Sequence, residues 1–259
     1  MASEQKQFDV VIIGGGPGGY AAALYGAAAG LSIALVERDK VGGTCLHRGC
    51  IPAKEFLETA HVRRTIEHAS AFGITTNAPS VDFAVSQSRK NEVVDQLHKG
   101  LSGLLKGRQI EVFEGTGRLD ANLTVAVVEG SDAGTTLTGK AVILAAGSVP
   151  RTLPGFDVDG KVVLTSDEFL ALTELPASAA VIGGGAIGCE FASMLSDLGV
   201  TVSLIEGEER ILAGCDSDVS KVIDRSFTKR GISITTGVSV TGQSASDEGV
   251  TVSLSNGET

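Results

Sequence analysis

The segment Gly42-Gly43-Thr44-Cys45-Leu46-His47-Arg48-Gly49-Cys50-Ile51-Pro52-Ala53-Lys54 holds the residues best suited to chemistry. Cys45 and Cys50 are five positions apart, so a disulfide between them requires the chain to fold back until their Cα atoms lie within about 7 Å. Gly43 and Gly49 ease that bend, and Pro52 sits where a helix would begin. Cys50 then stands at a helix N-terminus, where a thiolate is stabilised and can act as nucleophile and electron donor in disulfide exchange. Two other readings compete: half of a zinc site, for which no second Cys/His pair has fitting spacing, and a pair of inert thiols. Four cysteines are too few for a disulfide scaffold of this size, and Cys189 and Cys215 are expected to be structural.

A second chemistry is written in glycine. Gly14-Gly15-Gly16-Pro17-Gly18-Gly19 follows an apolar run at 8–13 and precedes an alanine-rich stretch, and Gly183-Gly184-Gly185-Ala186-Ile187-Gly188 follows a run at 179–182. In such a loop the first glycine permits the tight turn, the second lets the backbone approach a pyrophosphate, and the third lets the helix pack on the strand. The helix N-terminus then offers unpaired N–H groups and partial positive charge to phosphates. Each unit continues into a second apolar strand ending in a glutamate: Glu37 lies 23 residues after Gly14, and Glu206 lies 23 residues after Gly183. Either carboxylate can accept hydrogen bonds from a ribose diol. A 2′-phosphate about 4 Å from Glu206 would cost on the order of 4 kcal/mol per charge pair at an effective dielectric of 20, which favours NAD over NADP. Arg38 is read as a surface charge.

These residues need a scaffold that presents a loop at the end of a strand twice over. The repeated β-turn-α-β pattern predicts an α/β protein with two Rossmann-like nucleotide-binding domains. Between the repeats, helices are expected at about 52–68 and 85–106, and strands at about 110–114, 123–128 and 141–145. The segment 149–155, with two prolines and a glycine, reads as a linker, giving a first domain at 1–150 and a second at 151–259. The alternating stretch 250–254 looks like a strand of a second domain that is incomplete at its C-terminal end. His61, His68 and His98 fall on polar helical stretches and are expected to face solvent.

Residues 42–54 resemble the redox-active disulfide motif of the class I pyridine nucleotide-disulfide oxidoreductases, and Ile51-Pro52-Ala53-Lys54 leans towards the lipoamide-linked members. The resemblance covers essentially the whole chain. It implies a glutathione reductase-like fold with FAD on the first domain and NAD on the second. It makes Cys45 the interchange thiol attacked by substrate and Cys50 the thiol next to the flavin. Lys54 is implied to lie near the flavin N5 and to pair with Glu190. The cofactor contacts implied are Gly14, Gly16, Pro17, Gly18, Gly19, Glu37, Gly43, Thr44, Cys45, Lys54, Gly117, Ala146 and Gly147 in the first part of the chain. In the second they are Gly183, Gly185, Ile187, Gly188, Glu206 and Val238. The activity implied is oxidation of dihydrolipoamide, carried on the lipoyl domain of a 2-oxo acid dehydrogenase complex, to lipoamide with reduction of NAD. Alternatives are a glutathione- or mercuric-reductase-like enzyme and a module that only binds nucleotide.

The sequence departs from the pattern in places. Ala145-Ala146-Gly147 replaces the usual Ala-Thr-Gly, removing a hydroxyl, and His47-Arg48 stand where many relatives carry Asn and Val. A second FAD-binding Gly-Asp element and a C-terminal interface domain, which gives each partner of a homodimer its catalytic His–Glu pair, are not found before Thr259. The expectation is an N-terminal fragment. With 21 basic and 31 acidic residues and no basic run interleaved with aromatics, nucleic-acid binding is not expected. The polar start at 1–7, the short apolar stretches and the lack of a metal-ligand pattern predict a cytoplasmic protein with no membrane span and no metal.

Overall fold

The computed structural model describes residues 5–246 and 249–259. The chain forms two compact units, one of residues 1–52 with 91–149 and the other of residues 53–90 with 150–259. Residues 53–90, which the linker pattern alone leaves with the first domain, thus group with the later part of the chain.

In the first unit, β1 (Gln5–Ile13) leads through the glycine loop into α1 (Pro17–Ala28), followed by β2 (Ile33–Glu37) and the five-residue α2 (Gly43–His47). α3 (Cys50–Glu67) and α4 (Phe83–Gly107) follow, and both pass from one unit into the other along the chain. The unit then closes with β3 (Glu111–Glu114), β4 (Gly117–Leu119), β5 (Thr124–Val127) and β6 (Thr136–Leu144). One sheet of order β3-β2-β1-β6-β5-β4 results, parallel from β3 to β6 and antiparallel beyond it. β6 begins earlier than its apolar pattern suggests, because Thr136 and Thr138 pair with the polar start of β1 at Gln5 and Gln7.

The continuous apolar runs of β1 and β2 are explained by burial on both faces. Val11, Ile13, Ala34, Val36 and Phe113 pack against Val125, Val127 and Leu137 on one side. On the other, Ile12, Ile33 and Leu35 pack against Ala23 of α1 and Leu105 of α4.

In the second unit a short helix, α5 (Ser166–Phe169), precedes the repeat. Thr165 and Glu168 form a reciprocal capping box there, and the hydroxyl and backbone N–H of Thr165 hold the Glu168 carboxyl below its usual range. The repeat comprises β7 (Ser178–Ile182), α6 (Ala186–Asp197), β8 (Thr201–Ile205), α7 (Ser217–Lys229) and β9 (Ser233–Thr235). β7-β8-β9 form a parallel sheet, and β10 (Val240–Ser246) and β11 (Gly249–Leu254) form a hairpin. Its core joins Phe56 and Ala60 of α3, Phe83 of α4, Phe191, Ala192, Met194 and Leu195 of α6, and Leu204 of β8. Among the described residues, no helix is long and apolar enough to cross a membrane.

Candidate functional site

Each glycine loop is built by the same contacts. A Cβ on Gly19 would fall on the carbonyl oxygen of Gly14, and one on Gly188 would fall on that of Gly183. Only glycine lets each helix sit this close to the turn before it. Gly14 and Gly183 make that turn with φ of 103° and 105°. Gly16 and Gly185 cap α1 and α6 without any side-chain hydrogen bond. Both helix starts therefore keep their polar ends available to an anion, with Pro17 and Gly18 in the first turn of α1, and Ile187 in that of α6 63% exposed.

Glu37 and Glu206 are held identically. Oε2 of Glu37 accepts from Gly15 N–H at 2.6 Å and its Oε1 from Asp39 N–H at 2.9 Å. Oε2 of Glu206 accepts from Gly184 N–H at 2.6 Å and its Oε1 from Glu208 N–H at 2.9 Å. A side chain on Gly15 or Gly184 would run into the adjoining glutamate. The carboxylates thus lock the loops, and each oxygen retains lone-pair capacity for a ribose hydroxyl. The 23-residue spacing hinted at the ribose contact; the loop-locking role was not visible in it.

The cysteine segment lies directly on the first glycine loop. Gly42 N–H donates to Gly15 O at 2.8 Å, and Gly43, at φ 56°, approaches Gly16 so closely that a Cβ would sit 2.7 Å from its Cα. Thr44 is exposed on α2, Cys45 is half-buried, and Cys50 is exposed at the start of α3. Gly49 packs on the Thr44 carbonyl, where a Cβ would have only 3.0 Å. The two cysteines are not bridged. The fold supplies the turn and the helix start that bring the pair near one another, as disulfide exchange requires.

A cleft of about 630 Å³ adjoins Glu37 and is lined also by Lys40, Val41, His98, Ser102, Lys106 and Glu114. It leaves open space beside the carboxylate. The wall from α4 had no sequence signal, since its residues lie more than 50 positions downstream of Glu37. His98 does not face solvent as expected; it is half-buried and bonded to the Val41 carbonyl oxygen at 3.1 Å. His61 and His68 are exposed. Ala146 and Gly147 are exposed beyond β6, and Gly117 packs in β4 against Ile13 and Val36.

In the second unit, Lys54 Nζ donates to Glu190 Oε1 at 2.6 Å. The helices that carry them, α3 and α6, are tied again further along: Arg64 pairs with Asp197 at 3.0 Å and Arg63 donates to the Asp197 carbonyl. Arg230 joins from the end of α7, 2.8 Å from Asp197. These cations gather at the negative C-terminal end of α6. Val238 is buried, and its N–H donates to the Glu206 carbonyl. Cys189 is buried, with Sγ on the Gly184 carbonyl at 3.3 Å, and burial pushes its thiol up to about 11. That is an inert, structural thiol, whereas Cys215 is exposed and belongs to no core. Among the described residues no group of three or more metal-ligating side chains occurs.

Comparison with known proteins agrees with this geometry. The pyridine nucleotide-disulphide oxidoreductase family model matches residues 8–259. The chain is 48% identical over 248 residues to a dihydrolipoyl dehydrogenase of Bacillus subtilis (strain 168), covering 93% of this chain and 52% of the relative. It is 41% identical over 251 residues to the dihydrolipoyl dehydrogenase of Chlamydia pneumoniae, covering 97% and 54%. Among solved structures, LpdA from Mycobacterium tuberculosis superposes with a TM-score of 0.87 at 26% identity, over 98% of this chain and 56% of that one. The HOCl-induced flavoprotein disulfide reductase RclA from Escherichia coli, as its Cu(II) complex, gives 0.79 at 29% identity, over 95% and 53%. The chain spans about half the length of the curated relatives it matches. With a redox-type cysteine pair laid on one of two duplicated nucleotide loops, and a family match over nearly all its length, the chain belongs to the pyridine nucleotide-disulphide oxidoreductases.

Proposed function

We propose that the protein of which this sequence is at least a part oxidises dihydrolipoamide to lipoamide and reduces NAD, as a dihydrolipoyl dehydrogenase. The observation that carries this reading is the attachment of the Cys45–Cys50 segment to the first nucleotide loop through Gly42, Gly43, Gly15 and Gly16. FAD fits the first unit: an uncapped helix start for its pyrophosphate, Glu37 for its ribose, and the adjoining cleft for its adenosine. NAD fits the second through Gly185, Ile187 and Glu206. Gly14, Gly18, Gly19, Gly183 and Gly188 shape these loops, and Thr44, Gly117, Ala146, Gly147 and Val238 are proposed as further contacts.

In the proposed exchange, a lipoyl thiolate attacks Sγ of Cys45 in the oxidised pair, and Cys50 leaves as a thiolate. The second lipoyl thiol then attacks the sulfur of its own mixed disulfide, releasing lipoamide and leaving both cysteines reduced by two electrons in total. Bound FAD supplies the two-electron carrier between that dithiol and NAD. Lys54, held by Glu190, places a positive charge one helical turn after Cys50 on α3. No general base for the exchange is assigned within residues 1–259. The proposed partners are the lipoyl domain of a cytoplasmic 2-oxo acid dehydrogenase complex and a second copy of the full-length enzyme.

Thiol titration tests the redox pair directly. The oxidised protein should gain two titratable thiols after dithiothreitol, and Cys45→Ser should abolish that gain. An unchanged gain in Cys45→Ser would overturn the assignment.

A further inference from the structure

His47 ends α2, two residues after Cys45, and His98 lies on α4. Both belong to the first unit. The His47 ring meets the Val41 carbonyl oxygen through Nε2 at 2.9 Å, and His98 meets the same oxygen through Nδ1 at 3.1 Å. A carbonyl oxygen only accepts, so both nitrogens carry protons and the tautomers follow: Nε2–H in His47 and Nδ1–H in His98. The rings meet edge to face, with centroids 5.1 Å apart at 67°. The next residue, Arg48, pairs with Asp39 at 3.1 Å.

A helix of five residues cannot hold its own conformation, so its fixed points decide where its side chains lie. At its start α2 is fixed by the Gly42 N–H on Gly15 O. At its end it is fixed by the His47 ring, which meets the Val41 carbonyl and packs edge to face on the His98 ring, and by Arg48 on Asp39; His98 holds the same Val41 carbonyl from α4. Cys45 sits between these two anchors, and His98 ties the second of them to α4 by a hydrogen bond.

We propose that His98, acting through His47 and the Val41 carbonyl, is a positioning residue that fixes the orientation of the Cys45 thiol. The inference rests on the reading of Cys45 as the interchange thiol, and it assigns a task to both His47 and His98 that the cysteine motif itself does not require. Its chemical requirement is specific: a proton donor at the position of the His98 Nδ1, above a second donor on His47. Asparagine at 98 places an amide N–H near that position; phenylalanine fills the space without it.

The test uses the reduced 259-residue chain under limiting iodoacetamide. Trypsin separates the two cysteines, because cleavage after Lys40, Arg48 and Lys54 leaves Cys45 and Cys50 on different peptides. Mass spectrometry then reads the ratio of Cys45 to Cys50 alkylation, with Cys50 as the internal standard. His98→Phe should raise that ratio by at least about twofold, the lower end expected for losing one hydrogen bond. His98→Asn should return it to the unaltered value. An unchanged ratio in a folded His98→Phe protein, or a ratio in His98→Asn equal to that in His98→Phe, would overturn the proposal. Should His98→Phe fail to fold, His47→Phe removes the other donor and is read in the same way, with an unchanged ratio again decisive against it. The ratio is measured on reduced protein, so it stands or falls separately from the dithiothreitol-released thiols that test the redox pair.

Discussion

The two nucleotide loops of this chain are the same device placed in different surroundings. Shifting the first copy by 169 positions takes Gly14 to Gly183, Gly19 to Gly188 and Glu37 to Glu206. The hydrogen bonds to the two glutamates repeat at 2.6 and 2.9 Å. Beyond that the copies diverge. β1 lies inside its sheet between β2 and β6, and Val11 and Ile12 are fully buried; β7 ends its sheet, and Ile182 is 38% exposed. The Gly14 turn is covered by the Ala145 carbonyl at the end of β6, and Gly16 by Gly43. Gly183 and Gly185 have open space around the position of a side chain. The motif therefore dictates its own internal geometry, while the neighbouring chain decides how much of the loop is enclosed.

The sharpest way to break the equivalence is to add the same methyl group to both turns. Gly14 and Gly183 both need positive φ, so alanine at either site is strained, by about 1–3 kcal/mol. At Gly14 the new Cβ would also meet the Ala145 carbonyl, adding an overpacking cost of about 1–3 kcal/mol. Gly14→Ala should thus destabilise the chain clearly more than Gly183→Ala. Urea unfolding followed by circular dichroism, suited to a chain with no tryptophan, measures the difference. Equal losses would show that the enclosure of the first loop carries no energetic weight.

That difference in surroundings also marks the limit of what the sequence revealed. The repeat, the two helix starts and the strand-end glutamates were legible because each depends on contacts within a few residues or on a fixed spacing. The partners of those elements were not. Nothing near His98 indicates that it reaches Val41 across 57 positions, and its polar neighbours suggested exposure. Residues 53–90 read as part of the first domain because no breaker interrupts α3 at Ala53, yet Phe56 and Phe83 pack with the α6 core. The turn at Gly43 and Gly49 was legible, but the way it is fastened to the first glycine loop through Gly15 and Gly16 was not, because those partners lie about 27 positions upstream.

A second contrast concerns the matching glutamates. If Glu206 faces the ribose of NAD and Glu37 that of FAD, neutralising each should affect a different ligand. Glu206→Gln should narrow the preference for NADH over NADPH by about tenfold, well below the on-the-order-of 4 kcal/mol ceiling set by an unscreened charge pair. Glu37→Gln should leave that preference unchanged and weaken flavin retention. Binding titrations with both nucleotides, and flavin absorbance after gel filtration, measure the two effects. Equal binding of NADH and NADPH by the unaltered protein would remove the basis for the assignment.

The smallest expected effect lies where the strands begin. In the first unit Asp9 accepts from Ser32 N–H and Oγ–H at 2.8 and 2.9 Å and pairs with Lys140 at 2.7 Å, joining β1, the lead into β2, and β6. Lys140 and Ser32 together hold its carboxyl well below the usual carboxylate range. The corresponding positions of the second unit are Ser178 and Thr201, which do not titrate. A carboxyl whose folded pKa is depressed stabilises the fold above its unfolded value, 3.8, and that contribution is lost as pH falls below it. Because the pair is exposed, solvent screens most of its worth. Asp9→Ser makes the first unit resemble the second and should lower the urea midpoint slightly at pH 7, with the gap to the unaltered chain closing between about pH 4 and pH 2. Lys140→Ala should reproduce part of the same convergence, since Ser32 still holds the carboxylate. A gap that stays constant down to pH 2 would mean that Asp9 acts as a neutral hydrogen-bond acceptor, and that the acid sensitivity of the first unit arises elsewhere.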